Sequence, residues 1–175
     1  MSASTIMRCE TPLGACLLLG DERALRGLWF EGAAHYARTL PPDAREGSTP
    51  ALRDAAQWLG DYFAGLHPSP LALTLAPDAS AFQSEVLDLL LEIPEGRTTT
   101  YGALAAALAQ RRGLARMSAQ AVGGAVARNP ISIVIPCHRV LGADGSLTGY
   151  AGGLARKRWL LEHEGVALQT HAGSV

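Results

Sequence analysis

Residues 131–140 read Ile-Ser-Ile-Val-Ile-Pro-Cys-His-Arg-Val, and no other segment limits the chain's options as much. A stiff, largely β-branched apolar run belongs in a core. Pro136 then fixes its own φ and brings no backbone donor. The run therefore cannot continue as an interior strand, and it is expected to deliver Cys137 at a turn. His138 follows at once. A thiolate is the reactive form of cysteine, and a paired base lowers the thiol pKa. A histidine in that role is commonly backed by a carboxylate. Glu164, expected where the last helix closes, is the candidate. Taken alone, a Cys-His pair reads more often as a core cysteine beside a surface histidine, so the surroundings decide.

Those surroundings divide into recognisable elements. Two apolar runs, Ala15–Leu19 and Leu25–Phe30, flank Gly20-Asp21-Glu22 and read as a β-hairpin. The polar stretch Ala33–Pro50 reads as a loop. Pro50 opens a helix in which Leu52, Ala55, Ala56, Leu59, Tyr62 and Phe63 recur at three- and four-residue spacing, and Gly65 ends it. A short run, Leu71–Leu75, is expected to be another strand. Asp78-Ala79-Ser80 marks a boundary and a helix cap. Phe82, Val86, Leu89, Leu90 and Ile93 then form an amphipathic helix, stopped by Pro94 and Gly96. Thr100 caps a short helix, Tyr101 to Ala109. The turn Arg111-Arg112-Gly113 separates it from a second, Ser118 to Arg128, giving a helix-turn-helix layout. Asn129-Pro130 breaks the chain, Gly142 to Gly149 is a loop, and Gly152-Gly153 starts a final helix with Leu154, Trp159, Leu160 and Leu161 on its apolar face. The tail after Gln169 is expected to fray.

Composition narrows the function classes. With 48% apolar residues in 175, the chain can bury a core, yet no stretch approaches the roughly 18 consecutive apolar residues of a membrane helix. Met1 to Glu10 lacks a basic start followed by an apolar run, so no signal peptide is read and a cytoplasmic location is expected. The net charge of −1 hides an asymmetry. Residues 1–79 hold 6 basic and 9 acidic side chains, a balance of −3; residues 80–175 hold 9 and 7, a balance of +2. The basic excess sits with the motifs, but it is too modest for charge alone to carry DNA affinity. Three cysteines argue against a disulfide framework. Cys9 and Cys16, with His35 and His67, lack the paired spacing of a zinc site and read better as structural. No metal and no cofactor are expected.

From Phe82 to Gly165 the chain resembles the O6-alkylguanine-DNA alkyltransferase family. The resemblance rests on ordered motifs: Phe82-Gln83, Ile93-Pro94-Glu95-Gly96, Thr100-Tyr101-Gly102-Ala103-Leu104-Ala105, Ala121-Val122-Gly123-Gly124-Ala125, Asn129-Pro130, Ile135 to Val140, Gly149-Tyr150-Ala151-Gly152-Gly153, Lys157, and Trp159 to Gly165. The N-terminal half matches only loosely, at Thr11-Pro12-Leu13-Gly14. The resemblance implies that Cys137 attacks the alkyl carbon on guanine O6, with O4-alkylthymine left open as a second substrate. His138, through a water, and Glu164 would activate the thiol. Tyr101 would donate a proton to guanine N3. It also implies that the carbonyls of Cys137 and Val140 face guanine N2, that the amide of Ala151 faces O6, that Tyr150 walls the pocket, and that Asn129 ties the DNA-binding helix to the active-site segment. Gln120, Ala121, Gly123, Gly124 and Arg128 would meet DNA, with the small side chains fitting a narrow minor groove. The target base must be flipped out of the stack. The product is a thioether, which no ordinary base displaces, so each molecule would act once.

The chain departs from the family's pattern at Gln120, where many members carry an arginine that fills the space of the flipped base. The connection from Tyr101 to Gln120 also looks longer than expected, and Arg111, Arg112 or Arg116 would be candidates to reach DNA from it. Three competing readings remain. A lesion-binding protein without transferase activity would lack Cys137. A cysteine hydrolase draws its base from a distant segment rather than the adjacent residue. A helix-turn-helix regulator needs base-reading side chains along its second helix, where Gln120 is nearly alone. The expected architecture is α/β (α+β): a small N-terminal β-sheet domain with a helix, residues 1–79, and a mostly helical, winged-helix-like C-terminal domain, residues 80–175. The expected partner is double-stranded DNA carrying O6-alkylguanine, bound by a monomer with no membrane association.

Overall fold

The computed structural model describes residues 3–169, so the expectation for the tail after Gln169 lies outside the described residues. β1 (Thr5–Thr11) and β2 (Gly14–Gly20) pair antiparallel, and β2 pairs antiparallel with β3 (Leu25–Phe30), as the hairpin pattern predicts. β1 has no counterpart among the sequence expectations. Its side chains are only half-buried or exposed, so Arg8 and Glu10 dilute the apolar signal. A two-residue β4 (Arg45–Glu46) completes the sheet in the order β3-β2-β1-β4.

α1 (Pro50–Phe63) begins as its sequence dictates, with Thr49 accepting from the Leu52 amide and Pro50 in the first turn. It buries Leu52, Ala55, Trp58, Leu59 and Tyr62. The expected strand Leu71–Leu75 is instead a 3-10 turn, Pro70–Ala72, with Leu71 88% exposed and only Leu75 bridging to Leu25. Pro70 at its start presets the turn and withholds a ladder donor.

In the C-terminal half, Ser80 caps α2 (Ala81–Leu91). Thr100 caps α3 (Tyr101–Arg112), and Ser118 caps α4 (Ala119–Ala127). α3 runs one turn beyond the expected end at Ala109. Arg111 and Arg112 suit the negative end of the helix dipole, and the left-handed Gly113 (φ 66°) closes it. A parallel pair of two-residue strands, β5 (Thr99–Thr100) and β6 (Val140–Leu141), joins the start of α3 to the segment that follows Cys137. Such short strands carry no periodic signal. α5 (Leu154–His163) buries Leu160 and Leu161, but Leu154 lies outside the apolar face and is 48% exposed at the first turn.

The halves share one apolar cluster, from Cys16 and Phe30 through Leu59 to Val122, Ile135 and Leu160. The β3 edge is met by the segment that leads to Cys137: Leu28 donates to Pro130 (2.8 Å) and accepts from Ser132 (2.9 Å). Arg156 of α5 adds a clamp. It donates to the carbonyls of Leu13 (2.9 Å) and Gly152 (3.0 Å), with its guanidinium 4.6 Å from the Phe30 ring centroid.

Candidate active site

Cys137 opens a 3-10 turn, Cys137–Arg139, directly after the buried run Ile131–Ile135. Asn129 holds that run to the end of α4. Its Nδ2 donates to the carbonyls of Ile135 (2.8 Å) and Ile131 (3.3 Å), and its Oδ1 accepts from the Ile131 amide (3.0 Å). Within it Ile133 sits at φ 70°, a conformation that a β-branched residue adopts only when its surroundings over-determine it.

Cys137 is 5% exposed. Burial pushes its thiol pKa up, against the opposing pull of the Asn129 side chain, the Lys157 charge and the Cys137 and His138 amides. At rest it is a thiol, so its proton must be removed on demand. His138 is fully buried, and burial pushes its pKa down although Glu164 opposes this. Its Nε2 lies 2.6 Å from Glu164 Oε1. An ionised carboxylate only accepts, so the neutral ring donates from Nε2 and keeps its lone pair on Nδ1. That Nδ1 is buried and has no protein partner among the described residues.

Glu164, at the C-cap of α5, is the hub of the site. Arg139 donates to both oxygens, Nε to Oε2 at 2.8 Å and Nη2 to Oε1 at 3.0 Å, and also to the Ile93 carbonyl. Tyr62 of α1 donates to Oε1 at 2.8 Å. Burial would raise the Glu164 pKa, but His138 and Arg139 outweigh it and hold the carboxyl down at about 2.

Tyr101 begins α3, half-buried, and its hydroxyl donates to the carbonyls of Thr148 (3.1 Å) and Gly149 (3.3 Å). Burial, helped by Cys137, pushes its pKa up, so the phenol stays protonated. Lys157 of α5 shares those acceptors. Fully buried, it donates to the carbonyls of Val140, Thr148 (2.9 Å) and Gly149 (3.3 Å), and burial brings its pKa down to about 8. The Val140 carbonyl thus already accepts one bond and keeps a second lone pair. The Tyr150 hydroxyl is buried without a partner among the described residues. Gly152 is required beside it, because a Cβ there would sit 2.8 Å from the Tyr150 ring and 3.1 Å from Phe30. Ala151 accepts from the Ala34 amide through its carbonyl (2.9 Å).

α4 buries Val122, Ala125 and Val126 and turns the opposite face outward. Gln120, Ala121, Ala127 and Arg128 are exposed there, while Gly123 and Gly124 are half-buried. Arg111 and Arg112 do not extend that face. They are tied to α2 through Glu92 (2.6 Å) and Glu85 (2.7 Å), a consequence of the extra turn of α3. Arg116 is exposed and makes no ion pair among the described residues. Cys9 and Cys16 face each other across β1 and β2 as free thiols. No group of three His, Cys, Asp or Glu suited to a metal is found among the described residues.

The sequence reading missed Tyr62, Arg139 and the contacts of Lys157 as parts of this site. Tyr62 appeared only as an apolar position of α1. The unusual concentration of basic residues, Arg139 and Lys157, in segments otherwise destined for burial was the available signal.

Comparison with known proteins adds an independent line. Residues 81–166 match the model for the 6-O-methylguanine DNA methyltransferase DNA binding domain, and residues 5–77 match that for its ribonuclease-like domain. A methylated-DNA–protein-cysteine methyltransferase of Methanosarcina acetivorans is 42% identical over 156 residues, 89% of this chain and 95% of the relative. Its namesake from Salmonella typhimurium is 54% identical over 110 residues, 63% of this chain and 61% of that protein. The crystal structure of Mycobacterium tuberculosis OGT in complex with DNA superimposes with a TM-score of 0.76 at 36% identity, covering 93% of this chain and 92% of that one.

Proposed function

The chain belongs to the 6-O-methylguanine DNA methyltransferase family, and from that premise we propose that Cys137 is the residue that takes the alkyl group. The protein binds DNA and is a methylated-DNA–protein-cysteine methyltransferase, repairing DNA by direct reversal. The observation that carries the assignment of Cys137 is the relay behind it: a buried His138 whose Nε2 is committed to Glu164 and whose Nδ1 is left over.

In the proposed reaction a water passes the Cys137 proton to His138 Nδ1, and Glu164 stabilises the imidazolium. The thiolate attacks the alkyl carbon on guanine O6. An S–C bond forms, the C–O bond breaks, and its electron pair stays on the base. Tyr101 turns its hydroxyl from the Thr148 and Gly149 carbonyls to guanine N3, so the base leaves neutral. The proton on His138 and the one missing from Tyr101 are rebalanced through solvent. Loss of the thioether would require a thiolate to leave an unactivated carbon, so each molecule reacts once.

The carbonyls of Cys137 and Val140, the amide of Ala151 and the ring of Tyr150 form the proposed base pocket, supported by Asn129. The outward face of α4, with Gln120, Ala121, Gly123, Gly124 and Arg128, is the proposed groove contact, and Gln120 the residue that enters the duplex. We further assign specificity for O6-alkylguanine, action as a monomer in the cytoplasm, and a division of the chain at residues 79 and 80. No helix among the described residues is long and apolar enough to cross a membrane.

The test is intact mass spectrometry after mixing with duplex DNA holding one O6-methylguanine. A gain of about one methylene on the peptide containing Cys137, saturating at one equivalent and absent in Cys137→Ser, is expected. Tight binding of that DNA with no mass gain would leave the lesion-binding reading instead.

A further inference from the structure

Among the described residues, Glu164 Oε1 accepts from three donors, and only one of them comes from the N-terminal half of the chain. That donor is the Tyr62 hydroxyl, 102 residues away in sequence and 2.8 Å away in space. We propose that Tyr62 is a positioning residue for alkyl transfer: it fixes the Glu164 oxygen that His138 uses and limits that oxygen's basicity. The inference rests on the roles assigned to Cys137, His138 and Glu164 above.

The placement of Tyr62 is over-determined. Its ring is 2% exposed and stacks on Trp58, with centroids 5.5 Å apart and planes 8° from parallel. It meets the His163 ring edge-on at 5.2 Å. Its own carbonyl lies 2.7 Å from His163 Nε2. Packing alone is therefore satisfied without the hydroxyl, yet the hydroxyl reaches the same oxygen as His138. Arg139 compensates the carboxylate's charge from the other side. Among the described residues, Glu95, Lys157 and Tyr150 also act on this cluster.

The chemistry gives a direction. A hydrogen bond donated to a carboxylate oxygen makes that oxygen a weaker base. Without it, Glu164 would attract the His138 proton more strongly, and the imidazole would stay protonated to higher pH. The neutral base that accepts the Cys137 proton would then be scarcer on the acid side. Tyr62 thus keeps His138 available, and the N-terminal half contributes to the reaction and not only to the core.

The experiment is single-turnover alkyl transfer across pH for the full chain, for Tyr62→Phe and for Trp58→Phe, with thermal melting and DNA affinity measured in parallel. For Tyr62→Phe we expect full alkylation of Cys137 with unchanged DNA affinity. We expect an acid limb displaced to higher pH, with a rate lower by roughly three- to tenfold along that limb, the scale of one such hydrogen bond. Trp58→Phe loosens the same aromatic stack and is expected to melt earlier with the acid limb in place. A Tyr62→Phe protein with wild-type rate and profile overturns the inference. So does a slower one whose acid limb is unmoved. If the unsubstituted chain is not alkylated at Cys137, the underlying assignment fails instead, and the mass spectrum distinguishes the two failures.

Discussion

At the scale of single residues, the site is organised around one buried carboxylate. Glu164 is held at about 2, well below an ordinary carboxyl. Its folded pKa is depressed, so its contribution to stability is complete above the usual carboxylate range and is lost as pH falls from about 4.5 toward 2. That shift corresponds to stability on the order of 3 kcal/mol. Glu164→Gln should be destabilised by about 3–5 kcal/mol at neutral pH, because Arg139 is left buried without its anion. Its stability should then change less than the wild type's between pH 5 and pH 3. Urea titrations at those two pH values measure both effects, and equal acid sensitivity in the two proteins would contradict this account. The pairing of His138 with Glu164 was legible in the sequence because a thiol with an adjacent base calls for a carboxylate. The hydrogen bond from Tyr62 was not, because no local pattern connects a position on α1 to the C-cap of α5. Lys157 was equally hidden, since its partners are main-chain carbonyls that carry no residue identity.

At the scale of elements, helix periodicity, with Pro50 opening α1 and Ser80 capping α2, announced α1, α2 and α4 to within a few residues, and Thr49, Ser80 and Ser118 each accept from an orphan amide of the first turn. The short strands β4, β5 and β6 stayed silent, being held by pairing alone. The extra turn of α3 has a functional corollary. It spends Arg111 and Arg112 on α2 and leaves the proposed groove face of α4 with Gln120, Arg128 and the glycines. Gln120→Arg should therefore strengthen duplex binding several-fold and steepen the salt dependence of binding by up to about one unit of slope, as one added phosphate contact does. Filter binding at three salt concentrations reads this, and unchanged affinity with an unchanged slope would remove Gln120 from the interface.

At the scale of the whole molecule, sheet and site form one packed body. The core cluster runs across the proposed division at residues 79 and 80. That continuity was unreadable beforehand because contacts such as Leu28 with Pro130 and Ser132 depend on which sheet edge receives the C-terminal segment. Leu28 is fully buried at that junction. Leu28→Ala should cost about 2–5 kcal/mol and slow alkyl transfer as well, although the residue is far from Cys137 in sequence. Stability and single-turnover rate, measured on the same preparation, should fall together; a stability loss with an unaltered rate would mean that the sheet merely supports the site.

The same docking decides what the sheet offers to other molecules. A bare edge strand is an invitation to intermolecular β-pairing. Here one edge, β3, is bridged at Leu25 by the segment around Leu75 and at Leu28 by the segment around Ile131. The other ends in a strand of two residues, both charged and exposed. The segment that carries the proposed alkyl acceptor thus also helps close the sheet against aggregation, so a lesion in that junction would threaten solubility and repair in one stroke.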